Sequence, residues 1–209
     1  MRLSQYKNII LDCDGVILDS NALKESNIKS VVKNYLDKES LNEFIDYFVG
    51  NNGITREVKI RKFFNPPTSE EVLKNYSDLN ASSLMNSELT KGFHSFYENV
   101  LFHFKGTKIV LSGGAETELI SVLAHKNIFR QFNEICGGPN SKYDHLDRLN
   151  LKGPTLYIGD SKLDYEVANH FNFNFLFMFG YTQVKDWKSY VTEKNITYFQ
   201  DWTEFPNEC

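Results

Sequence analysis

The sequence predicts an α/β protein, a doubly wound parallel sheet with a helical domain inserted after the first strand. Two observations carry that expectation. Short apolar runs, each ending in Gly or a small polar residue, alternate with stretches of helical periodicity, the pattern of a parallel sheet covered on both faces. One long interval, residues 20–104, breaks the alternation and repeats its apolar residues at helical spacing. The 209 residues, 41% of them hydrophobic, suffice to bury one such core and a small insertion.

The first strand is Ile9, Ile10 and Leu11, which delivers Asp12-Cys13-Asp14-Gly15 to its carboxyl end, the edge where open α/β sheets bind ligands. Four segments repeat that logic. Lys108 to Leu111 precedes Ser112-Gly113-Gly114, and Phe132 to Cys136 precedes Gly137-Gly138-Pro139. Thr155 to Ile158 precedes Gly159-Asp160-Ser161, and Phe173 to Phe179 precedes Gly180. Helices are expected over Ala115 to Lys126, Lys142 to Asn150 and Lys162 to Phe171. Residues 1–19 and 105–209 therefore form the core domain and residues 20–104 the helical insertion. Within the insertion, Val31, Val32, Tyr35 and Leu36, then Leu41, Phe44, Ile45 and Phe48, mark two helices, and Asn65-Pro66-Pro67 starts another with Thr68 or Ser69 as its cap. The aromatic tail, Asp186 to Cys209, reads as a last helix and strand.

With 23 Lys+Arg against 27 Asp+Glu, a net charge of -4, no basic field exists to gather nucleic acid or an anionic membrane. Cys13, Cys136 and Cys209 lack CxxC spacing and read as reduced thiols, and His94, His103, His125, His145 and His170 lack metal-ligand spacing and read as surface or packing residues. The amino terminus runs straight into the first strand and no stretch approaches about 18 apolar residues. The expectation is a soluble, cytoplasmic protein.

Two carboxylates at a buried strand end call for a cation or a ligand, because unpaired buried acids are costly. Taken alone, they also fit a turn or a helix cap. Leu11-Asp12-Cys13-Asp14-Gly15-Val16-Ile17-Leu18-Asp19-Ser20 resembles the DxDG motif of the haloacid dehalogenase-like hydrolases. Leu111-Ser112-Gly113-Gly114 is similar to that family's second motif, Ser141-Lys142 to its third, and Gly159-Asp160-Ser161-Lys162-Leu163-Asp164 to its fourth. Four such segments in register, each placed by a predicted element, are far more specific than one.

The resemblance implies a phosphatase acting through an aspartyl phosphate, with Asp12 as nucleophile and Asp14 as general acid and base. It implies Mg²⁺ held by the side chains of Asp12 and Asp160 and the backbone carbonyl of Asp14. A hard, oxygen-ligated cation is also what a site crowded with carboxylates and phosphate requires. Ser112, Gly113 and Lys142 would bind phosphate, and Asp164 would anchor Lys142 or a metal water. Asp14 disfavours dehalogenation, whereas a sugar-phosphate mutase shares the motif and stays open beside a non-catalytic binding module. The insertion would be a cap that reads the leaving group of a small phosphorylated metabolite. In it, Arg56 follows a Gly-rich turn, Gly50 to Ile54, and offers a two-pronged anion contact, and Asn21 is placed to reach a substrate hydroxyl. An exposed basic helix face and a helix cap are the plainer readings of those two residues.

Overall fold

The computed structural model describes residues 2–205. Six parallel strands form one sheet: β1 (Asn8–Leu11), β2 (Thr107–Ala115), β3 (Glu134–Gly138), β4 (Thr155–Gly159), β5 (Asn174–Met178) and β6 (Thr197–Phe199), in the order β3-β2-β1-β4-β5-β6. After β1 the chain moves outward through β2 and β3, then returns to the other side of β1 for β4, β5 and β6. β1 and β4 are thus neighbours at the point where the winding reverses, with Leu11 beside Ile158. Strand parity sorts the core. Ile9 and Leu11 enter one apolar layer, and Ile10 enters the layer on the opposite face with Ile109, Leu111 and Tyr157.

Nine α-helices accompany the sheet among the described residues: α1 (Asn21–Val32), α2 (Lys38–Gly50), α3 (Arg56–Arg61), α4 (Thr68–Ser83), α5 (Phe93–Phe96), α6 (Glu116–His125), α7 (Lys142–Leu149), α8 (Lys162–His170) and α9 (Trp187–Glu193). The first four build their own core from Ile28, Val32, Phe44, Phe48, Ile60, Phe64, Val72 and Tyr76. That separate core is smaller than the expected insertion. Leu84, Phe93, Phe96, Tyr97 and Leu101 pack instead with Trp202 and the residues of β1, so residues 84–104 belong with the sheet by packing. A boundary at 104 came from periodicity alone, which cannot say which core a helix face joins.

Two smaller expectations change. Neither Thr68 nor Ser69 caps α4: Pro67 holds the cap position, and the Ser69 hydroxyl donates to Glu70. The second strand runs past the expected Leu111, so that Gly113 and Gly114 lie in β2, because the strand continues to Ala115 through an irregular pairing with β3. The expected last helix and strand are α9 and β6. Cys13 and Cys136 are buried and unbridged, whereas Cys209 lies outside the described residues. No helix among the described residues is long and apolar enough to cross a membrane.

Candidate active site

β1 and β4 bring their carboxyl ends side by side, and the Asp12 amide continues their pairing by donating to the Ile158 carbonyl at 2.9 Å. Asp12 and Asp160 therefore stand together as the first residues past two adjacent strands. Beyond Asp12 the chain coils at once: the Ile17 and Leu18 amides both donate to the Cys13 carbonyl at 2.9 Å. Gly15 permits that coil at φ +78°, and a Cβ there would overlap the Asp160 carboxylate.

Under these acids sits a buried ion-pair network. The Lys142 amine, 2% exposed, donates to Asp12 Oδ1 at 2.6 Å, Asp164 Oδ1 at 2.5 Å and the Tyr157 hydroxyl at 3.1 Å. Its placement follows from a capping box in which Ser141 and Asp144 start α7. Asp164 is fixed the same way at the start of α8: its Oδ2 accepts from the Ser161 hydroxyl at 2.6 Å and the Ser161 amide at 3.1 Å. Its Oδ1 takes both Lys142 and Tyr157, the latter at 2.7 Å. Asp164 is thus engaged on both oxygens and anchors Lys142.

The donor set fits a hard cation. Oxygens of Asp12, Asp160 and Asp164 lie within 4.8 Å of one another and all three residues are buried. Burial, with the charges of Asp164 and Asp14, lifts the Asp12 carboxyl to about 7 despite Lys142. Burial, then the charges of Asp12 and Asp164, pushes Asp160 well above the usual carboxylate range. Acids so strained toward protonation are what a bound divalent ion relieves. Because Asp164 is saturated, Asp12 and Asp160 are the carboxylates with capacity for it.

Asp14 is handled differently. Ser20 donates to it at 2.6 Å, the Lys24 amine contacts both its oxygens at 2.7 Å, and the Ser112 hydroxyl donates at 3.3 Å. Burial alone would raise its pKa, but Lys24 and the Ser20 hydrogen bond outweigh that and hold it low. Ser112 also accepts from the Gly114 amide at 3.1 Å. Gly113 meets the cap, since a Cβ there would strike the Gly53 carbonyl. The helices of the insertion close over the acids, leaving a cavity of about 50 Å³ lined by Asp12, Asp14, Ser112 and Asp160 from the core and Lys24, Arg56, Lys59 and Tyr76 from the cap.

The two residues expected to touch substrate line this cavity but are already engaged. The Asn21 amide donates to Asp160 Oδ2 at 2.8 Å and to the Tyr181 carbonyl at 3.0 Å, so it orients a carboxylate. Arg56 is 4% exposed, which removes the reading as a solvent-facing basic helix. It donates to Glu118 on α6 at 2.7 Å and to Ser77 at 3.1 Å, joining cap to core.

Four partners escaped the sequence reading: Ser20, Lys24, Tyr157 and Glu118. Tyr157 sits in a strand run that reads as core, and only the fold reveals its hydroxyl under Lys142.

The profile of the haloacid dehalogenase-like hydrolases matches residues 9–178. A search of curated proteins returns no match. Among solved structures, a predicted phosphoglycolate phosphatase from Haemophilus somnus aligns with a TM-score of 0.73 at 18% identity, covering 94% of this chain and 95% of the other. A predicted phosphatase from Clostridium acetobutylicum gives 0.71 at 18%, covering 94% of each chain. A haloacid dehalogenase-like hydrolase from Bacteroides fragilis gives 0.69 at 18%, covering 94% and 96%. At such identities the likeness is one of fold, while the profile spans most of the chain and all four motif segments. The protein belongs to the haloacid dehalogenase-like hydrolases.

Proposed function

We propose that the protein is a Mg²⁺-dependent phosphatase of small phosphorylated metabolites. The observation that carries this reading is the pairing of two differently tuned acids on one strand end. Asp12 is clamped by Lys142 among other carboxylates, and Asp14, two residues on, is linked to Ser20, Lys24 and Ser112. A phosphoryl transfer needs a nucleophile, neutralisation of the phosphate oxygens and a proton for the leaving alcohol.

Asp12 attacks phosphorus and becomes an aspartyl phosphate, while Asp14 protonates the departing alkoxide. Water deprotonated by Asp14 then attacks the same phosphorus and frees Asp12. Asp14 is held as a carboxylate in the present arrangement, which suits the second step; the first requires that it enter protonated. Lys142 and the Ser112 hydroxyl stabilise the charge on the phosphate oxygens. Asp12 and Asp160, with the Asp14 carbonyl, would hold Mg²⁺, which would supply further neutralisation there. The small cavity between the insertion and the core, about 50 Å³, favours a small leaving group.

Phosphate release from a panel of sugar phosphates and phosphorylated acids, with Mg²⁺ and with chelator, tests this reading. The expected result is metal-dependent free phosphate. Conversion of a hexose 1-phosphate to its 6-phosphate with little free phosphate would make the protein a mutase, and no turnover on any member would leave a binding module.

A further inference from the structure

Asp160 is held by the loop that follows β5. The Thr182 hydroxyl donates to the Asp160 carbonyl and accepts from the Val184 amide at 3.1 Å. The Asn21 side-chain amide spans Asp160 Oδ2, at 2.8 Å, and the Tyr181 carbonyl, at 3.0 Å. Residues 181–184 therefore fix Asp160 at its backbone and, through Asn21, at its carboxylate, although they belong to no strand or helix.

The same loop meets the cap through Gln183. Its Nε2 donates to Glu25 Oε2 on α1 at 2.6 Å, and its Oε1 accepts from the side-chain amide of Asn52, between α2 and α3, at 2.8 Å. Two separate parts of the insertion converge on one side chain of the core. Ordering a half-buried glutamine costs more side-chain freedom than one neutral hydrogen bond returns; two, one of them to a carboxylate, offset it. The Glu25 carboxylate accepts and Asn52 presents its N–H, so position 183 must donate at one end and accept at the other. An amide does both, whereas a carboxylate or an ammonium fails at one end.

We propose that Gln183 is a positioning residue for Asp160: by tying α1 and the α2–α3 turn to residues 181–184, it makes the seating of the cap on the core and the orientation of the Asp160 carboxylate change together. Its consequence for Mg²⁺ rests on the phosphatase reading above, whereas the mechanical link does not. Coupling of this kind is reciprocal, so loosening the cap contact loosens Asp160.

Two variants test the link. Gln183→Glu sets a carboxylate against Glu25. The polarity swap, Glu25→Gln with Gln183→Glu, keeps both hydrogen bonds with the first reversed in direction. Each is measured by calorimetric Mg²⁺ titration and, without metal, by amide hydrogen exchange. Gln183→Glu is expected to weaken Mg²⁺ binding by about 10-fold and to speed exchange by about 10-fold at residues 50–54 and 159–164 alike, and the swap to return both to within about 3-fold of the wild type. Wild-type Mg²⁺ affinity in Gln183→Glu, or a swap as weak as the single variant, overturns the proposal. Faster exchange at residues 50–54 with none at 159–164 overturns it too, leaving Gln183 a contact of the seam only. If the wild type binds no Mg²⁺, the phosphatase reading fails on its own and exchange still decides: joint loosening reversed by the swap supports the link, and loosening confined to the cap refutes it. Should Gln183→Glu unfold, Gln183→Met, which drops both hydrogen bonds without adding a charge, takes its place.

Discussion

Two residues show how closely chemistry and backbone are joined. Gly15 combines a left-handed backbone with a Cα pressed against the Asp160 carboxylate, so a methyl group at this position both strains the chain and displaces an acid. Gly15→Ala is expected to lower metal-dependent turnover by about 100-fold or more, since displacement of a reacting constellation by about 1 Å costs that much; steady-state rates across a Mg²⁺ titration measure it. Lys59 gives a stability prediction. Its folded-state pKa, about 7, lies below the ordinary lysine value of 10.5, so the unfolded chain binds more protons between those values. Stability contributed through this group therefore rises as pH climbs from about 7 toward about 10. Lys59→Met removes that slope and is expected to be more stable than the wild type at pH 7, by about 2 kcal/mol. Denaturant unfolding of both proteins across that pH range checks the difference.

At the scale of elements, strand ends and helix starts do the positioning. β1 and β4 supply Asp12 and Asp160, and the capping boxes at α7 and α8 set Lys142 and Asp164 beneath them. Those residues were legible in the sequence because their places depend on local chain features: an apolar run, then an acid; a Ser, then an acid three residues on. Lys24 and Glu118 were not, since their meeting with Asp14 and Arg56 depends on how α1 and α6 lie across the strand ends, information that no local spacing contains. Asn21 and Arg56 were found as cavity residues, but their intramolecular partners Asp160 and Glu118 come from distant elements for the same reason. Asp164→Asn probes the helix-start device. It keeps the side chain's shape and removes one of the two carboxylates that share Lys142, leaving the buried ammonium with Asp12 alone. Loss of about 3 kcal/mol of stability is expected, with metal affinity weakened about 10-fold or more because an outer partner of the site is gone. Urea unfolding and calorimetric Mg²⁺ titration report the two effects separately.

In the whole molecule, two apolar cores meet across one polar seam. The sheet's alternation and the cap's helical periodicity made both cores readable, whereas the assignment of residues 84–104 to the sheet core required three-dimensional packing. The seam carries links from cap to core: Arg56 to Glu118, Lys24 to Asp14, Asn52 to Gln183 at 2.8 Å and Lys185 to Asp46 at 3.1 Å. Their chemistry differs with depth. Lys185 and Asp46 are exposed and contribute little, while Arg56 and Glu118 are buried and tie α3 to α6. The account as a whole turns on Asp12. Purified Asp12→Asn, assayed for phosphate release at saturating Mg²⁺ beside the wild type, is expected to lose activity by about 1,000-fold or more while melting at or above the wild-type temperature, because the carboxylate that attacks phosphorus is gone and a strained buried charge with it. Turnover within about 10-fold of the wild type in that variant would contradict the nucleophile assignment and the mechanism built on it.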